Sequence, residues 1–328
     1  RGYMIAAFAN SINPENPLDA LSVGEIGEPH TPPDWVTVHV KSASLNHHDI
    51  WSLKGQALKA DRVPMILGSD AAGVTQDGRE VVVHAVIGQM QNIENKTLDE
   101  TLDTQRTLLS ERYPGTLAQE VRVPAQNLLD KPDSLSFEEA ACLPTAYLTA
   151  YRMLAKRSNT QPGDTILIQG AGGGVATAAI VLAKTLGLKV WVTSRDARKR
   201  ETASALGAEQ VFESNAKLPG KVDAVIETVG AATWSHSLRA LRPGGTIVVS
   251  GATSGAMPPA DLNRVFFLQL SINGSTMGSR ADFVELLELL DRTGTKPVID
   301  RVMPLHEAKV AFTAMLNGDV RGKLVLNP

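Results

Sequence analysis

Between residues 165 and 193 the chain reads as a short apolar strand, a glycine-rich turn, a helix and a second strand, and few folds accept that run. The strand is Thr165–Gln169, the turn Gly170-Ala171-Gly172-Gly173-Gly174-Val175-Ala176, the helix Val175–Leu186 and the second strand Lys189–Thr193. Glycines let the backbone turn tightly and approach a pyrophosphate, whose charge meets free N–H groups and the positive helix end. Ala176 is the small residue that lets helix and strand pack closely. A glycine turn alone suits any strand–helix junction, but the whole unit within about 30 residues is the pattern of a dinucleotide site. Gly172, Gly173, Gly174 and Val175 are its expected cofactor contacts.

The alternation continues. Ala224–Glu227 and Thr246–Ser250 are again short, β-branched and apolar on both faces, as parallel strands covered by helices are. Ala197–Leu206, Thr233–Leu241 and Ala281–Thr293 supply further helices, the last with Phe283, Leu286, Leu287 and Leu290 on one face. Residues before about 125 have a different texture. Val36–Val40, Val81–Val86 and Glu120–Val123 are β-rich runs broken by Pro, Gly and Asn, which suggests an antiparallel barrel. The polar stretch Gln91–Glu111 reads as a surface excursion. After residue 295 come Val298–Val302, a helix at Leu305–Leu316 and Gly322-Lys323-Leu324-Val325-Leu326, which fit a return to the first domain. The expected fold class is therefore α/β. Residues 126–294 form a doubly wound parallel-sheet domain, and 1–125 with 295–328 form a β-barrel domain.

Composition narrows the function classes. A net charge of −3 with 20% charged residues carries no basic excess for a phosphate backbone, so no nucleic acid is expected. The longest apolar runs, such as Ala176–Ala183, fall well short of the roughly 20 residues that span a bilayer, so no membrane is expected either. The first strand-like segment follows at once on the N-terminus, which favours the cytosol. The single cysteine, Cys142, excludes an internal disulfide and a multi-cysteine zinc cluster. It lies on an apolar helix face and reads as core rather than nucleophile.

The second strand's end selects the cofactor. About 20 residues past the glycines, an acid would accept the ribose hydroxyls of NAD. Here Ser194 stands, followed by Arg195, Arg198, Lys199 and Arg200. A hydroxyl with cations suits a 2′-phosphate, so Ser194, Arg195 and Lys199 point to NADP(H). Asp196 reads as the N-cap of the next helix. Later strand ends should line the same crevice: Thr228 and Val229, then Ser250, Gly251 and Ala252, then Thr276 and Met277.

The chain resembles the medium-chain dehydrogenase/reductase superfamily over essentially its whole length. The carrying segments are Ser44–Asp49, Leu67–Gly73, Thr149-Ala150-Tyr151, Gly163–Ala183, Pro243–Thr246 and Gly322–Leu326. The resemblance implies a GroES-like β-barrel catalytic domain interrupted by a Rossmann domain. Zinc alcohol dehydrogenases of that superfamily hold a catalytic metal with Cys, His and Cys. Those places here read Asn46, Ser69 and Thr145, and the lobe for a structural zinc, near Gln91–Arg112, has no cysteine. Hence no metal is expected.

Asn46 and Gly68-Ser69-Asp70 look like the zinc-free quinone oxidoreductase and enoyl reductase branch. That branch implies hydride transfer from NADPH to a quinone or an α,β-unsaturated carbonyl, by a protein that is commonly a homodimer. It places Asn46 and Thr149 by the nicotinamide and lets Lys323 reach the phosphates. Several quinone reductases carry a tyrosine where Trp51 stands, so a tyrosine proton donor is not carried over. Candidate catalytic residues are Asn46, His47, His48 and Thr145. On an extended segment His47 and His48 would point to opposite sides, so one at most would face substrate; the bland alternative is a histidine held by local backbone. Two other functions stay open: a metal-independent ketone reductase or alcohol dehydrogenase, and an NADPH-binding sensor with little catalysis.

Overall fold

The computed structural model describes residues 2–88 and 99–328. Residues 91–98 of the expected excursion lie outside this range. Its described remainder holds a 3-10 turn, Glu100–Leu102, and the strand Thr107–Leu108, paired antiparallel with Val86–Ile87. The chain divides into two compact units, Arg1–Ala146 with Ser279–Pro328, and Tyr147–Gly278.

In the second unit six parallel strands form one sheet. Numbered in chain order they are Thr165–Gln169, Lys189–Thr193, Gln210–Phe212, Val222–Glu227, Leu241–Val249 and Ser271–Gly274, and they lie in the order 3-2-1-4-5-6. This is the Rossmann order, and it reverses direction between the first and fourth strands, where such sheets bind ligands. Ile166, Leu167 and Ile168 are buried in succession, as are Val225 and Ile226, because helices cover both faces of the sheet. Helix Ala197–Leu206 begins at Asp196, whose carboxylate accepts from the Arg198 N–H, and ends at Gly207 in the left-handed region.

The first unit is built on a seven-stranded sheet. Its path runs Leu128–Asp130, Glu80–Val83, Asp70–Thr75, Val36–Ser44, Lys323–Asn327 and Ile299–Pro304, with Glu120–Val123 also pairing to Val36–Ser44. Leu21–Gly27, Tyr3–Ala9 and Met65–Ile66 form a second, antiparallel sheet. The C-terminal strand does return: Val325 pairs with Ser44 and Leu326 with Ala43. Around the sheets, Val38, Leu53, Leu117, Val121, Phe312, Leu324 and Leu326 belong to one apolar core.

The units part at 146/147 and 278/279, where sequence texture suggested 125/126 and 294/295. Helix Arg280–Thr293 follows the strand–helix alternation, yet its contacts are with the first unit. Phe283 meets the His84 ring edge-on at 6.0 Å, and the Arg280 guanidinium donates to the Gln126 and Leu128 carbonyls. Phe312, fully buried in the apolar core, tests how far that core carries the first unit. Phe312→Ala should cost about 3–5 kcal/mol, read as a lower denaturant midpoint for this unit; an unmoved midpoint would contradict the assignment.

Candidate active site

The glycine turn lies at the end of the first Rossmann strand. Gly170 has a φ of 81°, and Gly173 caps helix Gly174–Thr185 without offering a side chain, so the first-turn N–H groups have no side-chain cap. A Cβ on Gly172 would meet the Lys199 ammonium at 2.5 Å, so Lys199 reaches across from the next helix over the turn. Ser194 is buried, with its hydroxyl accepting from the Asp196 N–H, while Arg195 is exposed. Arg200 donates to the Ser194 carbonyl at 2.7 Å. Of the basic run, then, Lys199 faces the turn and Arg200 braces the backbone.

The fourth strand's turn is fixed from below. Glu227, wholly buried, accepts from the backbone N–H groups of Val229 and Gly230 and from the hydroxyls of Thr233 and Ser237. With that, Gly230 takes a φ of 91°, a conformation that favours glycine. The Ser254 N–H donates to the Val229 carbonyl, so Thr228 and Val229 share a frame with the loop after Ser250, Gly251 and Ala252. The Gly170 and Val229 turns touch as well, since a Cβ on Gly170 would lie 3.1 Å from Val229 Cγ2. Thr149 Oγ1 lies 3.8 Å from Met277 Sδ, which brings two expected cofactor residues together; Thr276 beside them is exposed. This arrangement fits a dinucleotide: open N–H groups at a helix start, a cation over them and a small-residue turn opposite.

In the first unit, Val36–Ser44 runs into Leu45 and Asn46, and Asn46 caps the helix His47–Leu53. The helix starts here because Asp49 turns back on it: Oδ2 accepts from the Asn46 N–H and Oδ1 from the Gly68 N–H, each at 2.9 Å. Gly68, with φ 99°, leaves no room for a Cβ, which would meet Thr116 and Leu117 below 3 Å. Ser69 follows, and Asp70 opens the strand paired with Val36–Ser44, where Ser44 lies opposite Asp70.

A buried polar cluster results. Thr145 Oγ1 donates to Asp70 Oδ1 at 2.6 Å and lies 2.9 Å from Ser69 Oγ. Asn46 Nδ2 is 3.4 Å from Ser69 Oγ. Asn46, Ser69 and Thr145 are thus brought together. Thr145 belongs to a π-helical segment, Leu143–Tyr147, a geometry frequent at functional sites.

Lys323 requires a correction. The residue is 4% exposed, and its ammonium donates to the Leu45 carbonyl at 2.6 Å, Asn46 Oδ1 at 2.7 Å and Asp70 Oδ2 at 3.3 Å. All three donors are spent inside the first unit, and none is left for a phosphate. Ser44 Oγ also lies 2.9 Å from Asp70 Oδ2. The roles of Asp70, Ser44 and Glu227 are not legible in the sequence: Ser44 lies in Ser44–Asp49 and Asp70 in Leu67–Gly73, but nothing local signals their partners.

His47 and His48 require another. They open a helix rather than lying on an extended segment, so they do not point to opposite sides. His47 is exposed, and His48 Nε2 lies 2.9 Å from Glu111 Oε1. Burial alone would lower the His48 imidazole. The hydrogen bond to Glu111 and the charges of Asp49, Glu111 and Asp70 outweigh it, leaving the pKa above the ordinary 6.5. Burial pushes the Asp49 carboxyl up to about 6, against the His48 charge and the two N–H bonds, which lower it. Cys142 is fully buried and burial pushes its thiol up to about 12, so it is core, as expected.

Residues 32–133 match the family described as the alcohol dehydrogenase GroES-like domain, and residues 174–292 the zinc-binding dehydrogenase family. The chain belongs to the medium-chain dehydrogenase/reductase superfamily. Within it, a zinc-type alcohol dehydrogenase-like protein of Schizosaccharomyces pombe is 30% identical, over 90% of this chain and 91% of its own length. A thermostable alcohol dehydrogenase from Pyrobaculum aerophilum, solved with cobalt and zinc bound, is 30% identical with a TM-score of 0.88, covering 100% of both chains. A 2-octenoyl-CoA carboxylase reductase, solved with NADP and 2-octenoyl-CoA, is 25% identical with a TM-score of 0.90, covering 100% of this chain and 88% of that one. Among the described residues no helix is long and apolar enough to cross a membrane.

Both raised groups act on stability in one direction. A group whose folded pKa is raised stabilises below its unfolded pKa, and that contribution is lost as pH rises through the folded one. The Asp49 share therefore falls between 3.8 and about 6, and the His48 share falls above 6.5. An NMR titration of the His48 ring should give a midpoint above 6.5 that drops in Glu111→Gln; an unchanged midpoint would remove Glu111 as the cause.

Proposed function

We propose that this protein is an NADPH-dependent reductase that needs no metal and acts on a quinone or an α,β-unsaturated carbonyl. One observation carries the reading. The place where zinc relatives hold their metal contains an amide, two alcohols and, 2.7 Å from the amide oxygen, the Lys323 ammonium. That donor set does not fit zinc, which takes thiolate, imidazole or carboxylate: the neighbouring Asp70 carboxylate is already engaged by Thr145 and Lys323, and a neighbouring cation opposes a second one. Without a Lewis acid, an alkoxide has nothing to stabilise it, whereas reduction of a conjugated acceptor asks only for positioning and hydrogen bonds. The octenoyl-CoA relative, with its NADP and unsaturated thioester, supports the same direction.

In this reading the second unit holds the cofactor. Gly172, Gly173, Gly174 and Val175 meet the pyrophosphate, and Ser194, Arg195 and Lys199 meet the 2′-phosphate end. Thr149, Thr228, Val229, Ser250, Gly251, Ala252, Thr276 and Met277 surround the nicotinamide side. When bound, NADPH supplies the hydride. The first unit orients the acceptor through Asn46, with Thr145 in the same cluster, and His48, held by Glu111, is the candidate proton source; His47 faces solvent. A homodimer belongs to this reading, supported by exposed Leu262, Phe266 and Phe267 near the edge strand Ser271–Gly274. A second reading, a metal-independent ketone reductase, draws on the relatives named as alcohol dehydrogenases.

Oxidation of NADPH and NADH should be followed in parallel over quinones, enones and ketones, with the protein stripped of metal by a chelator. Turnover of quinones or enones with NADPH is expected. Turnover of ketones alone would favour the second reading, and inactivity throughout would sink both. Ser194→Asp should raise the KM for NADPH about tenfold or more by setting a carboxylate against the 2′-phosphate, and an unchanged KM would move that phosphate elsewhere.

A further inference from the structure

We propose that Lys323 is a positioning residue that makes Asn46 the electrophilic donor of the first unit. The substrate half of this inference, a carbonyl conjugated to the reducible bond, rests on the reductase reading; the geometry does not.

An ammonium donates hydrogen bonds and accepts none. With Lys323 Nζ at 2.7 Å, the Asn46 amide must turn its oxygen to the lysine and its NH2 the other way. Lysine itself is pinned by the carbonyl of Leu45, just past Val36–Ser44, and by Asp70, which opens the strand on the far side of Val36–Ser44. The amide is therefore oriented by a buried cation, which draws on its oxygen and polarises its N–H groups.

Proton accounting singles out the same residue. Thr145 gives its hydroxyl proton to Asp70, so the 2.9 Å contact with Ser69 uses the Ser69 proton. Both hydroxyl protons run toward the carboxylate. Asn46 Nδ2 carries two N–H groups: one faces Ser69 at 3.4 Å, and the described residues give the other no acceptor. Of the three side chains at the metal's place, Asn46 alone keeps a proton to donate. A donor already oriented where enolate charge develops lowers the barrier without reorganising. The positive charge that zinc relatives supply as a metal thus acts here at one remove, through an amide.

The test uses the full chain labelled with [15N]asparagine. Without ligand, the Asn46 NH2 pair, assigned by its loss in Asn46→Asp, should shift in Lys323→Met. It should also shift in the charge-balanced double variant Asp70→Asn/Lys323→Met, which leaves no unpaired buried charge if the single variant fails to fold. In turnover of an enone, the double variant and Asn46→Asp should lose about 100-fold in kcat with NADPH affinity held within about threefold, and Lys323→Arg should recover part of it. An Asn46 signal that stays put in both Lys323 variants overturns the proposal whatever the assays give. So does a double variant whose kcat returns along with its thermal midpoint, or a kcat loss matched by lost NADPH affinity. A wild-type protein that turns over no conjugated acceptor counts against the reductase reading, a result separate from the ligand-free NMR measurement.

Discussion

Lys323 and Asp70 form a buried ion pair, 3.3 Å apart, between strands separated by Val36–Ser44. Around it the first unit arranges what chemistry it has. Asp70 takes the protons of Thr145 and Lys323, Lys323 takes the Asn46 oxygen, and Asn46 caps the helix that carries His47 and His48. Removing one partner of such a pair leaves an uncompensated charge, at a cost of about 3–5 kcal/mol. Fold and site therefore share a single electrostatic commitment here. In the second unit the corresponding anchor is Glu227, whose buried carboxylate is paired with backbone N–H groups and hydroxyls rather than a cation.

Much of the Rossmann unit was legible because its signals are local. Thr165–Gln169, Lys189–Thr193 and Ala197–Leu206 run between the residues expected, each bounded by a glycine turn or by Asp196 and Gly207. Leu241–Val249 starts earlier than expected, since Leu241 already pairs with Val222 while Pro243-Gly244-Gly245 falls in an irregularity before Thr246 pairs with Ala224. The helix His47–Leu53 left no periodic trace. It exists because Asp49 accepts from Asn46 and Gly68, and the second of these partners lies 19 residues away with no local sign of the bond.

The site divides along the same line. Glycines, Ser194 and Lys199 could be found from spacing, because a strand–turn–helix unit places them by itself. Asn46, Ser69 and Thr145 could be found by resemblance, and they do meet. Lys323 could not be placed, because its partner Asp70 lies 253 residues away and only the sheet order brings them together. A lysine after a glycine near the C-terminus carries no sign of whether it faces solvent, phosphate or a carboxylate.

The strand Lys323–Asn327 lies inside the first unit's sheet, between Val36–Ser44 and Ile299–Pro304. A ribosome delivers it after every other strand of that sheet. Everything needed for the second unit, Tyr147–Gly278, emerges earlier, so that unit can fold while the first still lacks a central strand. Until residue 323 appears, Asp70 has no lysine to pair with, and Ala43 and Ser44 lack their partners on that edge of Val36–Ser44. The nascent chain thus carries a complete second unit beside a first unit that still lacks one of its own strands.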